Sequence, residues 1–115
     1  MIIIEKNAGQ KIGYELDGTV LSFADGELAI NLARYQQDER ITKDIMVDSE
    51  GYLTMGHGRY YVAQVEIPEK EYECIESEME TDDNEGHASV MYEPLPLDVD
   101  KVTLYLFSIE GILIK

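Results

Sequence analysis

The segment Gly56-His57-Gly58-Arg59 holds the residue types best suited to chemistry in this 115-residue chain. A histidine that titrates near neutral pH, beside an arginine, could bind an anion or move a proton, and the glycines would let a ligand approach the backbone. The segment matches no phosphate-binding loop, because the Lys-Ser/Thr pair of such loops is missing. His57 and Arg59 are therefore a candidate ligand-binding site. The alternative is a plain glycine-rich loop between two strands.

An acidic run after Cys74 raises the question of a cation site. Asp82, Asn84 and Glu93 stand at positions 1, 3 and 12 of the calcium-loop template, but His87 occupies position 6, where the template requires glycine. The run is better explained as a solvated segment that meets a partner than as a calcium site. The acidic interaction segment comprises Glu76, Glu78, Glu80, Asp82, Asp83 and Glu85.

Other candidate catalytic and metal-binding residues lack the spacing that their chemistry requires. Structural zinc sites pair their ligands at short intervals, whereas Cys74 is the only cysteine and the two histidines are far apart. Cys74 is instead predicted to be a small buried hydrophobic residue. Asp98 and Asp100 would share one face of an extended segment, but a catalytic pair also needs a partner on another element. We predict no catalytic residue, metal or cofactor, and the protein is not expected to be an enzyme.

The charge of the chain narrows the choice of partners. It has 24 acidic and 9 basic side chains, a formal net charge of −15. Direct binding to nucleic acid or to an anionic membrane surface is disfavoured, because both need clustered Lys and Arg. Residues 66–100 carry 13 of the acidic side chains and one lysine, a net charge of −12. A basic protein partner is compatible with that excess.

Closely spaced turn signals indicate many short strands. The chain is 44% hydrophobic with 8 Tyr and 2 Phe, which is typical of a single globular domain over 1–115. Turn signals at Asp17-Gly18, Asp25-Gly26, Asp48-Ser49-Glu50-Gly51 and Glu110-Gly111 separate β-branched and aromatic runs. This pattern predicts an antiparallel meander.

Three segments define the expected strands most clearly. Residues 59–67 predict the longest strand, which Pro68 ends because it removes a ladder donor. Residues 27–33 alternate as a strand does, although their Ala and Leu would also suit a helix. Residues 102–109 are apolar on both faces, which predicts a central strand or a contact with another subunit.

The fold class expected from these elements is mainly β: a small antiparallel sandwich or partly open barrel of about seven to ten strands. The helical spacing of Tyr72, Ile75 and Met79 leaves room for one short helix. An acidic loop is expected at 76–87, and the sequence leaves its order open.

Four short motifs carry a resemblance to a known group of proteins. They are Gly9-Gln10-Lys11-Ile12-Gly13-Tyr14, Phe23-Ala24-Asp25-Gly26-Glu27-Leu28, Arg59-Tyr60-Tyr61-Val62-Ala63 and Glu93-Pro94-Leu95-Pro96-Leu97. With them the chain resembles small acidic β-rich proteins of bacterial prophages, a group with no assigned activity. The resemblance carries over no functional residue. It implies a virion or assembly component, or an accessory protein that acts on the host.

The expected function is that of a non-enzymatic structural or interaction protein that self-associates into a homo-oligomer. The alternative is an acidic decoy, whose carboxylates mimic nucleic-acid phosphates and block a basic groove of a host protein.

The opening Met1-Ile2-Ile3-Ile4 is too short for a secretory or membrane-spanning segment, and one cysteine suits a reducing compartment. We therefore expect the protein in the cytoplasm or in a virion.

Overall fold

The computed structural model describes residues 1–77, 89–112 and 114 and confirms the mainly-β fold. The strands are β1 (Ile2–Glu5), β2 (Tyr14–Asp17), β3 (Val20–Phe23), β4 (Leu28–Asn31), β5 (Ile41–Val47), β6 (Leu53–Met55), β7 (Tyr60–Ile67), β8 (Tyr72–Ser77), β9 (Ser89–Pro94) and β10 (Thr103–Leu106). The helical segments are helix α1 (Leu32–Tyr35) and a 3-10 turn at Val99–Lys101. The described strands form three sheets and no closed barrel.

The largest sheet has the strand order β1-β10-β7-β5-β6. β10 lies between β1 and β7, so the prediction of a central strand within 102–109 is confirmed. The strand itself ends at Leu106, and Ile109 lies in the turn that follows. β1 runs parallel to β10, whereas every other strand pair in the described residues is antiparallel. This parallel pair joins segments from opposite ends of the chain, which turn signals alone do not predict.

The second sheet is a three-stranded meander in the order β2-β3-β4. Its first turn is centred on Gly18 and Thr19, one residue later than the predicted Asp-Gly pair, with φ of +60° at Gly18. Its second turn is centred on Ala24 and Asp25, one residue earlier than the predicted Asp25-Gly26 pair, and both central residues have the positive φ that a type I′ turn requires. β4 ends at Asn31. The Asn31 side chain accepts a hydrogen bond from the backbone N–H at position 33 and so caps the N-terminus of α1. The strand predicted over 27–33 is therefore strand only as far as Asn31.

Side chains of the two larger sheets form one hydrophobic core, as in a small sandwich. The three-stranded sheet contributes Leu21, Phe23 and Ile30, while β7 and β10 contribute Val62, Ala63, Val65, Leu104 and Leu106. The alternation of β7 is broken by a bulge, because Ile45 pairs with Ala63 but the next residue of β5 pairs with Tyr61. Val62 and Ala63 are consequently both buried.

The hairpin predicted at 48–51 joins β5 to β6 and is confirmed. Asp48 Oδ1 accepts hydrogen bonds from the backbone N–H groups of Glu50 at 2.9 Å and Tyr52 at 3.0 Å. The turn predicted at Glu110-Gly111 also forms, with φ of +79° at Gly111. The residues at 112 and 114, however, lie outside the strands, so that turn does not lead into a further hairpin.

The third sheet consists of β8 and β9 alone. It lies where the helical spacing of Tyr72, Ile75 and Met79 left room for one short helix. The first two of these residues lie in β8, and Met79 lies outside the described residues. β8 forms at the described positions instead of that helix, and a spacing of three residues over so short a window does not separate a helix from a strand.

Candidate functional site

His57 and Arg59 lie in the loop between β6 and β7, and both are exposed. The backbone of the loop is fixed by two hydrogen bonds: Thr54 Oγ1 donates to the His57 carbonyl, and the Arg59 N–H donates to the Val47 carbonyl at 2.7 Å. The Arg59 guanidinium lies 5.6 Å from the centre of the Tyr60 ring, a cation–π contact. Ligand binding by His57 and Arg59 stays a prediction.

One glycine of this loop has a packing role. A Cβ atom added to Gly58 would stand 2.6 Å from Met46 Cβ and 3.1 Å from the Val47 carbonyl oxygen. The loop passes so close to β5 that no side chain fits at this position. The sequence pattern that suggested a ligand site is therefore explained in part by close contact between loop and strand.

The acidic interaction segment falls mostly outside the described residues. Glu76 belongs to β8, where its backbone pairs with that of Val90. Glu78, Glu80, Asp82, Asp83 and Glu85 lie in the range 78–88, outside the described residues, as does most of the loop expected at 76–87.

A charged cleft of about 490 Å³ opens beside the base of the β8–β9 hairpin. The sequence analysis missed it, because its residues come from distant parts of the chain. Its charged lining residues are Arg40, Glu66, Glu69, Glu71, Asp100 and Lys101. Four carboxylates thus face two basic side chains.

Glu66 accepts a hydrogen bond at each of its two carboxylate oxygens in this cleft. Arg40 donates to its Oε1 at 3.2 Å, and the Tyr105 hydroxyl donates to its Oε2 at 2.9 Å. The hydrogen bond to Glu66 raises the pKa of Tyr105 above its usual value, and desolvation adds to the rise. Both oxygens of Glu66 are engaged, so the group ties β7 to β10 and is not an open acid or base.

The cleft also holds a second ion pair, between Lys101 and Glu71. Lys101 Nζ lies 2.5 Å from Glu71 Oε1, and this hydrogen bond raises the pKa of Lys101. Both side chains are about half exposed, so solvent screens the pair and it contributes little to the stability of the fold. Asp98 Oδ1 accepts from the Asp100 N–H at 3.0 Å and caps the 3-10 turn. The sequence analysis expected these two aspartates to share one face of an extended segment. Asp100 lies in a 3-10 turn instead, so that expectation is wrong.

Hydrogen bonds to the segment after α1 fix the base of the hairpin. The Lys70 N–H donates to the Gln37 carbonyl at 2.8 Å, and the Gln36 side chain donates to the Glu69 carbonyl at 3.2 Å. The Tyr72 hydroxyl donates to Asp38 Oδ1, and this bond raises the pKa of Tyr72. These contacts set the direction in which the hairpin leaves the body of the protein.

The register of β8 and β9 sorts the hairpin side chains into two faces. One face, here called the tyrosine face, carries Tyr72, Cys74, Tyr92 and Pro94, and the register places positions 76 and 90 on the same face. The other, here called the glutamate face, carries Glu73, Met91 and Glu93. All seven side chains are exposed, Tyr92 by 68% and Met91 by 56%. The prediction that Cys74 is buried is therefore wrong, because no third layer covers this part of the hairpin among the described residues.

The tyrosine face meets the body of the protein at a shallow, open surface. Asp38, Tyr72 and Tyr92 border an open bay of about 550 Å³. The alternation of Tyr72 and Cys74 with Glu73, together with the aromatic and apolar residues of β9, was the sequence signal for this surface. The acidic composition of the region obscured it.

A second exposed apolar surface lies at the edge of the main sheet. β1 has β10 on one side, and its other side is the outer edge of the sheet. Ile2, Ile3 and Ile4 are exposed by 51%, 38% and 40%. An unpaired edge with apolar side chains is a surface on which another chain can add a strand.

Within the described ranges, no three His, Cys, Asp or Glu side chains come together as metal ligands would. The same residues contain no helix with the length and apolar character needed to cross a membrane. A comparison with protein-family models, curated proteins and solved structures finds no match to this chain. The resemblance to prophage proteins stays a prediction.

Proposed function

We propose that this protein is a non-enzymatic interaction protein that self-associates. The observation that carries the proposal is the β8–β9 hairpin, which pairs with no third strand in the described part of the chain. Its exposed side chains include Tyr72, Met91 and Tyr92, which are among the large hydrophobic side chains exposed in the described part of the chain. A binding surface is the simplest use of such an element.

The physical reason is the weakness of an isolated hairpin. Two strands alone are marginally stable in water, and they gain stability when a third strand or a packed layer covers one face. Clustered exposed apolar residues typically mark sites of protein contact. The exposed isoleucines of β1 supply a second such surface. Both surfaces, the hairpin and the edge of β1, favour self-association over a monomeric state.

The resemblance to prophage proteins supports a proposal about where the self-associated protein would be found. A self-associating β-rich protein fits a virion or assembly component, made in the cytoplasm. This part of the proposal rests on the motifs named above and would be tested by locating the protein in purified particles.

An acidic decoy is the second candidate function. Glu73 and Glu93 lie opposite each other on the glutamate face, and residues 66–100 carry a net charge of −12. Carboxylates presented on a protruding hairpin could enter a basic groove of a host protein. Such binding would weaken steeply with salt, because it rests on exposed charges.

Light scattering at low and high salt separates the two candidates. Self-association through apolar surfaces predicts a discrete multiple of the 13.1 kDa chain mass at both salt concentrations. A monomer at every concentration and both salts would overturn the proposed function. A monomer that binds basic proteins only at low salt would favour the decoy.

A further inference from the structure

We propose that two copies of this chain join edge to edge, with β1 of one copy pairing antiparallel to β1 of the other around a twofold axis. The two main sheets would then form one continuous sheet. This inference rests on the proposed function and adds the strand, the direction and the symmetry of the contact. A twofold contact uses the same surface on both copies, so the edge must be complementary to itself.

The backbone of β1 offers unpaired hydrogen-bonding groups along its outer side. The N–H groups of Ile2 and Lys6 both donate, at 2.8 Å, to carbonyls of the neighbouring segment that contains β10. Bonding direction alternates along a strand, so the N–H and C=O groups of Ile3 and Glu5 point away from β10. Among the described residues, no other strand pairs with β1. These outward groups are free to pair with a further strand.

This edge lacks the features that usually prevent strand addition. Edge strands are commonly protected by proline, by a bulge or by several charged side chains. β1 pairs with β10 in an unbroken register and contains no proline. Its first three residues are exposed isoleucines, and Glu5 is its only charged residue.

The alternation also restricts the register of the two copies. Outward-facing residues must pair with outward-facing residues, so the twofold axis can pass at Ile3, Ile4 or Glu5. An axis at Glu5 would bring two like charges together. An axis at Ile4 pairs Ile3 of each copy with Glu5 of the other. The two Ile4 side chains then form a non-hydrogen-bonded pair, in which side chains approach most closely.

The side chain of Lys6 lies on the same face of the sheet as the charged cleft. Lys6 Nζ is 4.9 Å from the centre of the Tyr105 ring, and the Tyr105 hydroxyl donates to Glu66 of the cleft. A twofold axis perpendicular to the sheet keeps this face on the same side in both copies. With the axis at Ile4, Lys6 of each copy stands opposite Ile2 of the other, a residue that lines the cleft.

Charge therefore favours the axis at Ile4 and a second copy as the occupant. Two chains with a net charge of −15 repel each other, so they can meet closely only where opposite charges compensate. The cleft has four carboxylates beside two basic side chains, and its Asp100 side chain is 90% exposed. Each copy thus supplies both a lysine and the acidic surface beside which the other copy's lysine comes to lie.

Proline at position 3 removes a donor that only the second copy would use. Ile3→Pro deletes an outward N–H and keeps the bonds from β1 to the β10 side. Each dimer loses two hydrogen bonds between copies, so the dissociation constant should rise about tenfold or more. Sedimentation across a dilution series measures this constant, and circular dichroism confirms that the variant is folded.

Tyr14→Pro is the matched control for Ile3→Pro. Tyr14 is exposed by 41%, against 38% for Ile3, and it lies on β2 at the edge of the second sheet. The carbonyl of the preceding Gly13 accepts from the β3 side, so the Tyr14 N–H points outward as well. This variant should change the dissociation constant by no more than a factor of about two, as expected outside the interface.

Reversing the charge of Lys6 tests the register. Lys6→Glu should raise the dissociation constant about tenfold at low salt and less at high salt, because exposed charges are screened. Lys43→Glu is the control, since it changes the net charge equally and also removes a lysine from a tyrosine ring, at 5.2 Å from Tyr35. Lys43 lies on β5 inside the sheet, so its reversal should change the constant by a factor of only about two.

Amide exchange on the unaltered chain, followed by NMR, provides an independent readout. The amides of Ile3 and Glu5 should exchange more slowly as protein concentration rises, because the second copy accepts from them. The amides of Ile2 and Lys6 are bonded within one copy and should change little. An oligomeric wild type in which Ile3 and Glu5 exchange at the same rate at all concentrations would overturn the inference.

The remaining outcomes separate this inference from the proposed function. An oligomer that both Ile3→Pro and Lys6→Glu leave intact keeps the proposed function and overturns this edge. Equal weakening by Lys6→Glu and Lys43→Glu overturns the register at Ile4. A mass that grows without limit as concentration rises indicates that β1 pairs with β6, at the opposite edge of the next copy, and overturns the twofold contact. A wild type that is always monomeric overturns both the inference and the proposed function.

Discussion

Replacing Gly58 by alanine should destabilise the fold markedly, although the residue lies in a loop beside the candidate ligand site. The new Cβ would stand 2.6 Å from Met46 Cβ and 3.1 Å from the Val47 carbonyl oxygen. Neither atom is the end of a flexible side chain, so β5 or the loop must shift. Overpacking of this kind costs about 1–3 kcal/mol.

The size of the effect can be stated as a melting temperature. With an unfolding entropy of about 2.1 cal/mol/K per residue, 1 kcal/mol shifts the melting temperature of a chain this long by about 4 °C. Gly58→Ala should therefore lower the melting temperature by about 4–12 °C. Thermal unfolding followed by circular dichroism measures it, at one fixed protein concentration because self-association also raises the melting temperature.

Gly13→Ala is the matched control for this substitution. A Cβ at Gly13 would meet no described heavy atom within 4 Å. It should change stability by no more than about 1 kcal/mol, in the stabilising direction, because alanine restricts the unfolded chain. If Gly58→Ala melts within about 2 °C of the wild type, a shift of about 0.5 kcal/mol, the close approach of loop and strand described above is refuted.

Three further predictions test the fold and its polar contacts. Leu104→Ala, at a fully buried position of β10, should cost about 2–5 kcal/mol in urea unfolding, and a loss below 1 kcal/mol would contradict its central place in the core. The pKa of Tyr105 is raised above its usual 10.0, so its bond to Glu66 stabilises the fold fully below that pH and is lost as the pH rises through the folded-state pKa. Thermal melts of Tyr105→Phe should then show a smaller fall in stability than the wild type above pH 10.0, and equal falls would count against the bond. Asp48→Ala removes the acceptor of two turn N–H groups and should cost about 1 kcal/mol in the same urea assay, whereas Ser49→Ala should have little effect; similar losses in both would contradict the role of Asp48.

Features set by neighbouring residues could be predicted from the sequence. The strand β7 was recognisable because β-branched and aromatic residues run up to Pro68. The turn at 48–51 was recognisable because Asp48 and Gly51 supply the acceptor and the backbone freedom that such a turn uses. These features depend on few residues, all close in sequence.

Features set by distant contacts could not be predicted. The parallel pairing of β1 with β10 depends on which segments meet in three dimensions. The exposure of Cys74 depends on whether a third layer covers β8, and no local pattern reports that. The cleft around Glu66 joins Arg40, Tyr105 and Lys101, which no sequence spacing brings together.

The central claim is that copies of this chain associate through the β8–β9 hairpin or the outer edge of β1, and amide hydrogen exchange across a dilution series tests it most directly. The amides of the surface that is covered should exchange more slowly as protein concentration rises, because a covered strand opens less often. Amides of β7 and β10, which lie inside the main sheet, provide the internal reference. Amides of both surfaces that exchange at the same rapid rate at the lowest and the highest concentration would contradict the account.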